Sequence, residues 1–137
     1  MLKPSEHLQK DFEQNYRDYI SDPTIEWKAK NVMQAAYNHL EWTFKYYRET
    51  DLTKLPGNKS LSDFRNYIYS QCPDARMMQE LAEAAKHRFL TRPGKIITSS
   101  TGAQEMNDGD LVIRDYNNRS FKEAINEVYS FWKNRQD

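Results

Sequence analysis

A chain of 137 residues, with 20 Lys and Arg balanced by 20 Asp and Glu, has the length of one domain; its lack of net charge argues against a nucleic-acid binder held mainly by phosphate contacts. A mean hydropathy of −0.99 would suit disorder, but an aromatic content of 13% speaks against it, because disordered chains are poor in aromatics. The single cysteine forms no internal disulfide, Met1 to His7 carries no apolar signal core and no run approaches the ~20 apolar residues that span a bilayer, so a cytoplasmic protein with no membrane partner is expected.

Leu8, Phe12, Tyr16 and Ile20 recur at every fourth position and predict a first helix over 5–21. Asp22-Pro23 ends it and predicts the next start, with Asp22 as cap and Pro23 in the first turn. The second helix, reaching about Arg48, has a main stripe of Ala29, Val32, Ala36, Leu40, Phe44 and Tyr47. A second stripe, Ala35, His39, Trp42 and Tyr46, lies beside it, so this helix should sit centrally. Residues 49–59 read as a loop turning at Pro56-Gly57.

Ser60 and Asp63 resemble a capping box that opens a third helix, with Leu61, Phe64 and Ile68 inward and Cys72-Pro73 as its stop. The fourth helix, Asp74 to Leu90, is apolar at Met77, Met78, Leu81, Ala84, Ala85 and Phe89, and Ala82, Ala84 and Ala85 allow close approach to a neighbour. Lys95–Ser99 and Asp110–Asp115 are rich in β-branched residues and predict two strands, with a turn at Asn107-Asp108-Gly109. Two strands alone are marginal, so the pair should pack on the helices. Ser120 and Glu123 form a full capping box before a fifth helix with Phe121, Ile125, Val128 and Trp132 on one face. The expected fold is one domain over 1–137, mainly α: about five packed helices with a small β-hairpin inserted before the C-terminal helix.

The densest polar constellation is Lys86-His87-Arg88, with Arg92 and Lys95 nearby. A histidine among cations suits a general base near an anion, or a nucleic-acid contact. Cations at a helix C-terminus also offset its dipole, and the position favours that plainer role. His87, Lys86, Arg88 and Glu80 are the candidate catalytic residues; His39 and Arg92 are the candidate ligand-binding residues. His39 and His87 could meet across packed helices, with Glu83 four residues before His87 on the same face. Metal spacings such as His-Glu-x-x-His are absent, so neither metal nor cofactor is expected, and His39 in an aromatic stripe reads as a hydrogen-bonded core residue. Cys72 reads as a small buried hydrophobe. Trp27, Tyr37, Tyr46, Tyr67 and Tyr69 cannot all lie on the main stripes; some read as amphipathic packing residues and some as a partner surface, since such residues are enriched at interfaces, with a homodimer as one form it takes.

The run from Asp63-Phe64-Arg65 through Cys72-Pro73 to Glu80-Leu81-Ala82 and Ala85-Lys86-His87-Arg88-Phe89-Leu90, then the strands and Phe131-Trp132, resembles a group of uncharacterised bacterial helical proteins with an Ala-Lys-His segment at a helix end. That group is distantly similar to HEPN-type domains of defence and toxin systems, some of which cleave RNA. The resemblance implies a helical frame and an RNA- or nucleotide-directed enzyme centred on His87. HEPN ribonucleases place an arginine four to six residues before a histidine; here none stands at that distance before His39 or His87, and Arg76 is eleven residues upstream of His87. Three functions stay open: a non-enzymatic binding module, of a mobile-element or defence locus; the HEPN-like enzyme; and a nucleic-acid-binding module using the basic helix end. The missing catalytic set and the aromatic surplus favour the first.

Overall fold

Residues 1–23, 25–88, 103–105, 111–113 and 119–135 are described by the structure, a computed structural model. Helix α1 starts at the buried Pro4, whose missing N–H costs nothing in a first turn. It runs as an α-helical turn Pro4–His7, a π-helical stretch Leu8–Phe12 and an α-helical segment Glu13–Ser21. Leu8, Phe12 and Tyr19 are buried, whereas Tyr16 and Ile20 are half-buried. The wider π turn carries residue i+5 round toward residue i, which brings the Glu13 carboxylate toward the inward face of Leu8.

Helix α2, Glu26–Thr50, touches all four other helices. Every residue of its expected main stripe is buried, as are Ala35 and His39 of the second. Its start differs from expectation: Ile25 is the N-cap, without a side-chain hydrogen bond, and the Asp22 carboxylate accepts from Lys28 Nζ at 2.7 Å instead. The turn Asp22–Ile25, closed by the Ile25 N–H donating to Asp22 O, sets the carboxylate apart from the helix end.

A 3-10 turn, Leu52–Lys54, leads to a turn with Gly57 at φ +58°. Helix α3, Leu61–Gln71, follows, with Ser60 Oγ accepting from the Asp63 N–H. Only half of the expected capping box forms, because the Asp63 carboxylate accepts from the Asn58 N–H at 2.8 Å. Glycine at 57 makes room for that arrangement: a Cβ there would stand 2.7 Å from Asp63 Oδ2. Cys72 ends α3 and is buried, and helix α4, Pro73–Arg88, begins at once.

Among the described residues three short strands precede the last helix: β1 Ala103–Glu105, β2 Leu111–Ile113 and β3 Arg119–Ser120, antiparallel in the order β1-β2-β3. Gln104 pairs with Val112, and Val112 pairs with Ser120. The strand expected over Lys95–Ser99 and the turn at Asn107-Asp108-Gly109 lie outside the described residues. The observed partner of β2 is a segment read as loop; Ala-Gln-Glu carries no β-branched residue, so its extended form comes from pairing rather than propensity. Helix α5, Phe121–Asn134, is capped by Ser120 Oγ, while the Glu123 carboxylate accepts from Arg119 Nη1 at 3.0 Å rather than closing the box. The fold is mainly α, as the periodicity predicts. Among the described residues no helix is long and apolar enough to cross a membrane.

Candidate functional site

Lys86, His87 and Arg88 form the last turn of α4, at a helix terminus as expected. Their side chains, with Arg92 and Lys95, lie outside the described residues, and so does the expected approach of His39 to His87. His39 has another histidine beside it. Its Nδ1 lies 3.0 Å from His7 Nδ1, which pins the start of α1 to the middle of α2. His7 stacks on Trp42 at 4.5 Å, and His39 meets the Trp132 ring edge-on at 4.8 Å. Trp42 Nε1 donates to Leu2 O at 2.9 Å, and Thr43 Oγ1 donates to His39 O at 2.9 Å.

The histidine bond needs one Nδ1 carrying a proton and the other bare. Burial lowers the His7 pKa, against the Asp11 carboxylate, which raises it. The cavity beside His39, bounded by Ser5, Tyr47 and Arg135 among others, measures about 10 Å³ and has room for one water at most. His39 is a hydrogen-bonded member of the aromatic core.

A second buried cluster joins α1 to α5. The Glu13 carboxylate accepts from the Tyr129 hydroxyl and from Lys133 Nζ at 3.1 Å, with Arg17 at 3.8 Å. The Tyr129 bond holds the carboxyl below its ordinary range, despite burial, and burial with the Glu13 charge pushes Tyr129 up to about 12. The Tyr16 ring stacks on Tyr129 at 4.1 Å, and its hydroxyl donates to Asn126 Oδ1.

The larger feature is a groove of about 850 Å³ between α3 and α4. Phe64, Ile68, Met77, Met78 and Leu81 bury the opposite faces of these helices. That leaves Ser62, Arg65, Asn66, Tyr69 and Ser70 on one wall, and Asp74, Arg76, Gln79, Glu80 and Glu83 on the other. Each arginine has a carboxylate partner, though Arg65 finds its own outside the groove, on α2, and its buried Nε has no hydrogen-bond partner among the described residues. Arg65 Nη2 donates to Glu41 Oε1 at 3.1 Å and to the Tyr37 hydroxyl, and Arg76 Nε donates to Glu80 Oε1 at 3.0 Å. Both Asp74 oxygens accept from Arg119 of β3, at 3.3 and 3.0 Å.

A relay crosses the groove: the Tyr69 hydroxyl donates to Gln79 Oε1, and Gln79 Nε2 donates to Glu83 Oε1 at 3.1 Å. Burial first, then the Glu41 hydrogen bond and charge, push Tyr37 up to about 12. Burial likewise pushes Tyr69 up to about 12, with Glu83 adding to the rise and Arg65 opposing it. Both phenols therefore remain proton donors near neutral pH. Of the candidate catalytic residues, Glu80 lines this groove, tied to Arg76; among the described residues that line it there is no histidine or cysteine.

Tyr37, Tyr46, Tyr67 and Tyr69 are half-buried, each beside a partner: the Arg65 guanidinium, the Tyr47 ring, the Arg135 guanidinium and the Gln79 amide in turn. Trp27 alone of the five is exposed. Sequence reasoning passed over His7 and Glu13. His7 lies one residue before the Leu8 stripe, and His39 at the centre of the next helix was the signal that another polar ring had to meet it. Glu13 gave no signal, because a π turn is invisible to a four-residue period. Among the described residues no group of three or more His, Cys, Asp or Glu could hold a metal ion. No family model, curated protein or solved structure matches the chain.

Proposed function

We propose that the protein is a non-enzymatic binding module that engages a partner along the α3–α4 groove. The observation that carries this reading is the groove's construction: a large open depression whose polar walls are held in place by ion pairs and a tyrosine-glutamine-glutamate relay. Such a surface meets a partner with its hydrogen-bonding groups already oriented, which lowers the ordering cost of association. It has two carboxylates near each other, Glu80 and Glu83, and among the described residues that line it neither an imidazole nor a thiol acts with them. Two arginines against three carboxylates also make a poor seat for a phosphate backbone. A cytoplasmic location goes with this reading, since the single cysteine is a buried free thiol.

A photo-crosslinking amino acid placed at Asn66, exposed on the groove wall, tests the proposal in cells that express the protein. It should trap a defined partner, whose binding to the purified protein weakens on Asn66→Arg or Ser70→Arg. A partner trapped from Gln34, exposed on α2, but not from Asn66 would place the binding surface elsewhere.

A further inference from the structure

We infer that the partner segment seats a lysine or arginine side chain against Glu83 in the α3–α4 groove. This rests on the groove being the binding surface. The argument starts from charge. The walls carry Arg65 and Arg76 against Asp74, Glu80 and Glu83, two positive charges to three negative. Four of those five charges have a counter-charge beside them, although the Arg119 that pairs with Asp74 also pairs with Glu123. Arg65 has Glu41 at 3.1 Å, Arg76 has Glu80 at 3.0 Å, and Asp74 has Arg119 at 3.0 Å. Glu83 is the remaining carboxylate, exposed, and among the described residues its partner is the neutral amide of Gln79.

The relay fixes where that charge points. Tyr69 donates to Gln79 Oε1, so the amide nitrogen must face Glu83, and it holds one carboxylate oxygen, Oε1. Among the described residues the second oxygen has no hydrogen-bond donor, and it can take one from outside. The charge is felt inside the groove, since Glu83 adds to the upward shift of Tyr69, which lines it. A half-buried tyrosine lining the same depression offers a ring face to an aliphatic stem or a guanidinium. A carboxylate held in position, an adjacent ring and, among the described residues, no cation paired with that carboxylate form a seat for one cationic side chain. An acidic segment or a nucleic-acid strand would meet an unmatched negative charge there.

The probes are short fluorescein-labelled peptides of Ser-Arg, Ser-Glu and Ser-Gly repeats, measured by anisotropy against the full chain. The proteins are the wild type, Glu83→Gln, Glu83→Lys and the control Glu49→Lys, whose site is exposed at the end of α2. Both substituted positions, 83 and 49, are exposed, and circular dichroism checks the fold. The Ser-Arg peptide should bind the wild type best. Glu83→Gln should weaken it about three- to fivefold and Glu83→Lys about tenfold, while Glu49→Lys stays near the wild type. Preference for the Ser-Glu peptide, binding of no peptide, or equal binding of the Ser-Arg peptide by Glu83→Lys and Glu49→Lys would overturn the inference. Failure of the charge inference is separable from failure of the groove itself. A partner trapped from Asn66 through a segment without Lys or Arg, and still held by Glu83→Lys, removes the cation while the groove stands. A partner trapped only away from Asn66 removes both.

Discussion

Acidification from about pH 8 to about pH 5 puts the His7–His39 pair under direct strain. The two Nδ1 atoms, 3.0 Å apart, share one proton, and a second proton between them would set two N–H donors head-on. The surroundings offer little to a cation: Trp42 covers His7, Phe12 and Trp132 flank His39, and Arg135 borders the same small cavity. Asp11 is the charge that favours a protonated His7, and burial outweighs it, so the folded pKa lies below the ordinary 6.5. The unfolded chain then binds more protons as the pH falls below that value. Stability is therefore complete above pH 6.5 and declines as the pH drops from there toward the folded pKa. The slope is limited to about 1.4 kcal/mol per pH unit for each proton taken up. His7→Phe retains a ring against Trp42 but cannot titrate. It leaves the buried His39 nitrogen without this partner, at a cost of about 1–3 kcal/mol at pH 8. Urea denaturation across this range should show a flatter pH dependence for His7→Phe than for the wild type. Parallel curves, or an NMR titration placing His7 above 6.5, would refute the reasoning.

Glu13→Ala removes the acceptor of the Tyr129 hydroxyl and Lys133. It should cost about 2–3 kcal/mol in urea denaturation. The Glu13 carboxyl is held low, so its contribution is full above the ordinary carboxylate range and lost as the pH falls through its folded pKa; the variant should lose that acid limb. Gly57→Ala forces a side chain into φ +58° and against Asp63, and should lower stability by about 1–3 kcal/mol with loss of the Asn58 N–H bond, visible as faster amide exchange there. Cys72 is buried and burial raises its pKa, so Ellman's reagent should label the native protein slowly and the urea-unfolded protein at once. Mixed RNA incubated with the protein should stay intact; cleavage abolished by His87→Ala would replace the binding reading with the HEPN-like one.

The helical frame was legible because its signals are periodic. Ala29 to Tyr47 and Phe121 to Trp132 place every stripe residue in the core. Cys72-Pro73 divides α3 from α4 as proline requires. The caps were less legible, since a capping box states which bonds can form and not which win. Asp63 turned to Asn58 and Glu123 to Arg119, where other donors were nearer. Of the short strands, β2 was legible in the β-branched run at Asp110–Asp115, while β1 escaped because it has no propensity of its own and β3 because it is two residues long. The groove is a tertiary product. Arg65 and Tyr69 are one turn apart on α3, and Arg76, Glu80 and Glu83 follow one face of α4, but nothing in either helix alone states that the two polar faces diverge around one depression.

Amide hydrogen exchange, measured with and without the partner trapped from Asn66, tests the groove most directly. The account predicts that added protection concentrates over residues 62–83, with α1 and α5 unchanged. Protection confined to α1 or α5, with 62–83 exchanging as in the free protein, would contradict it.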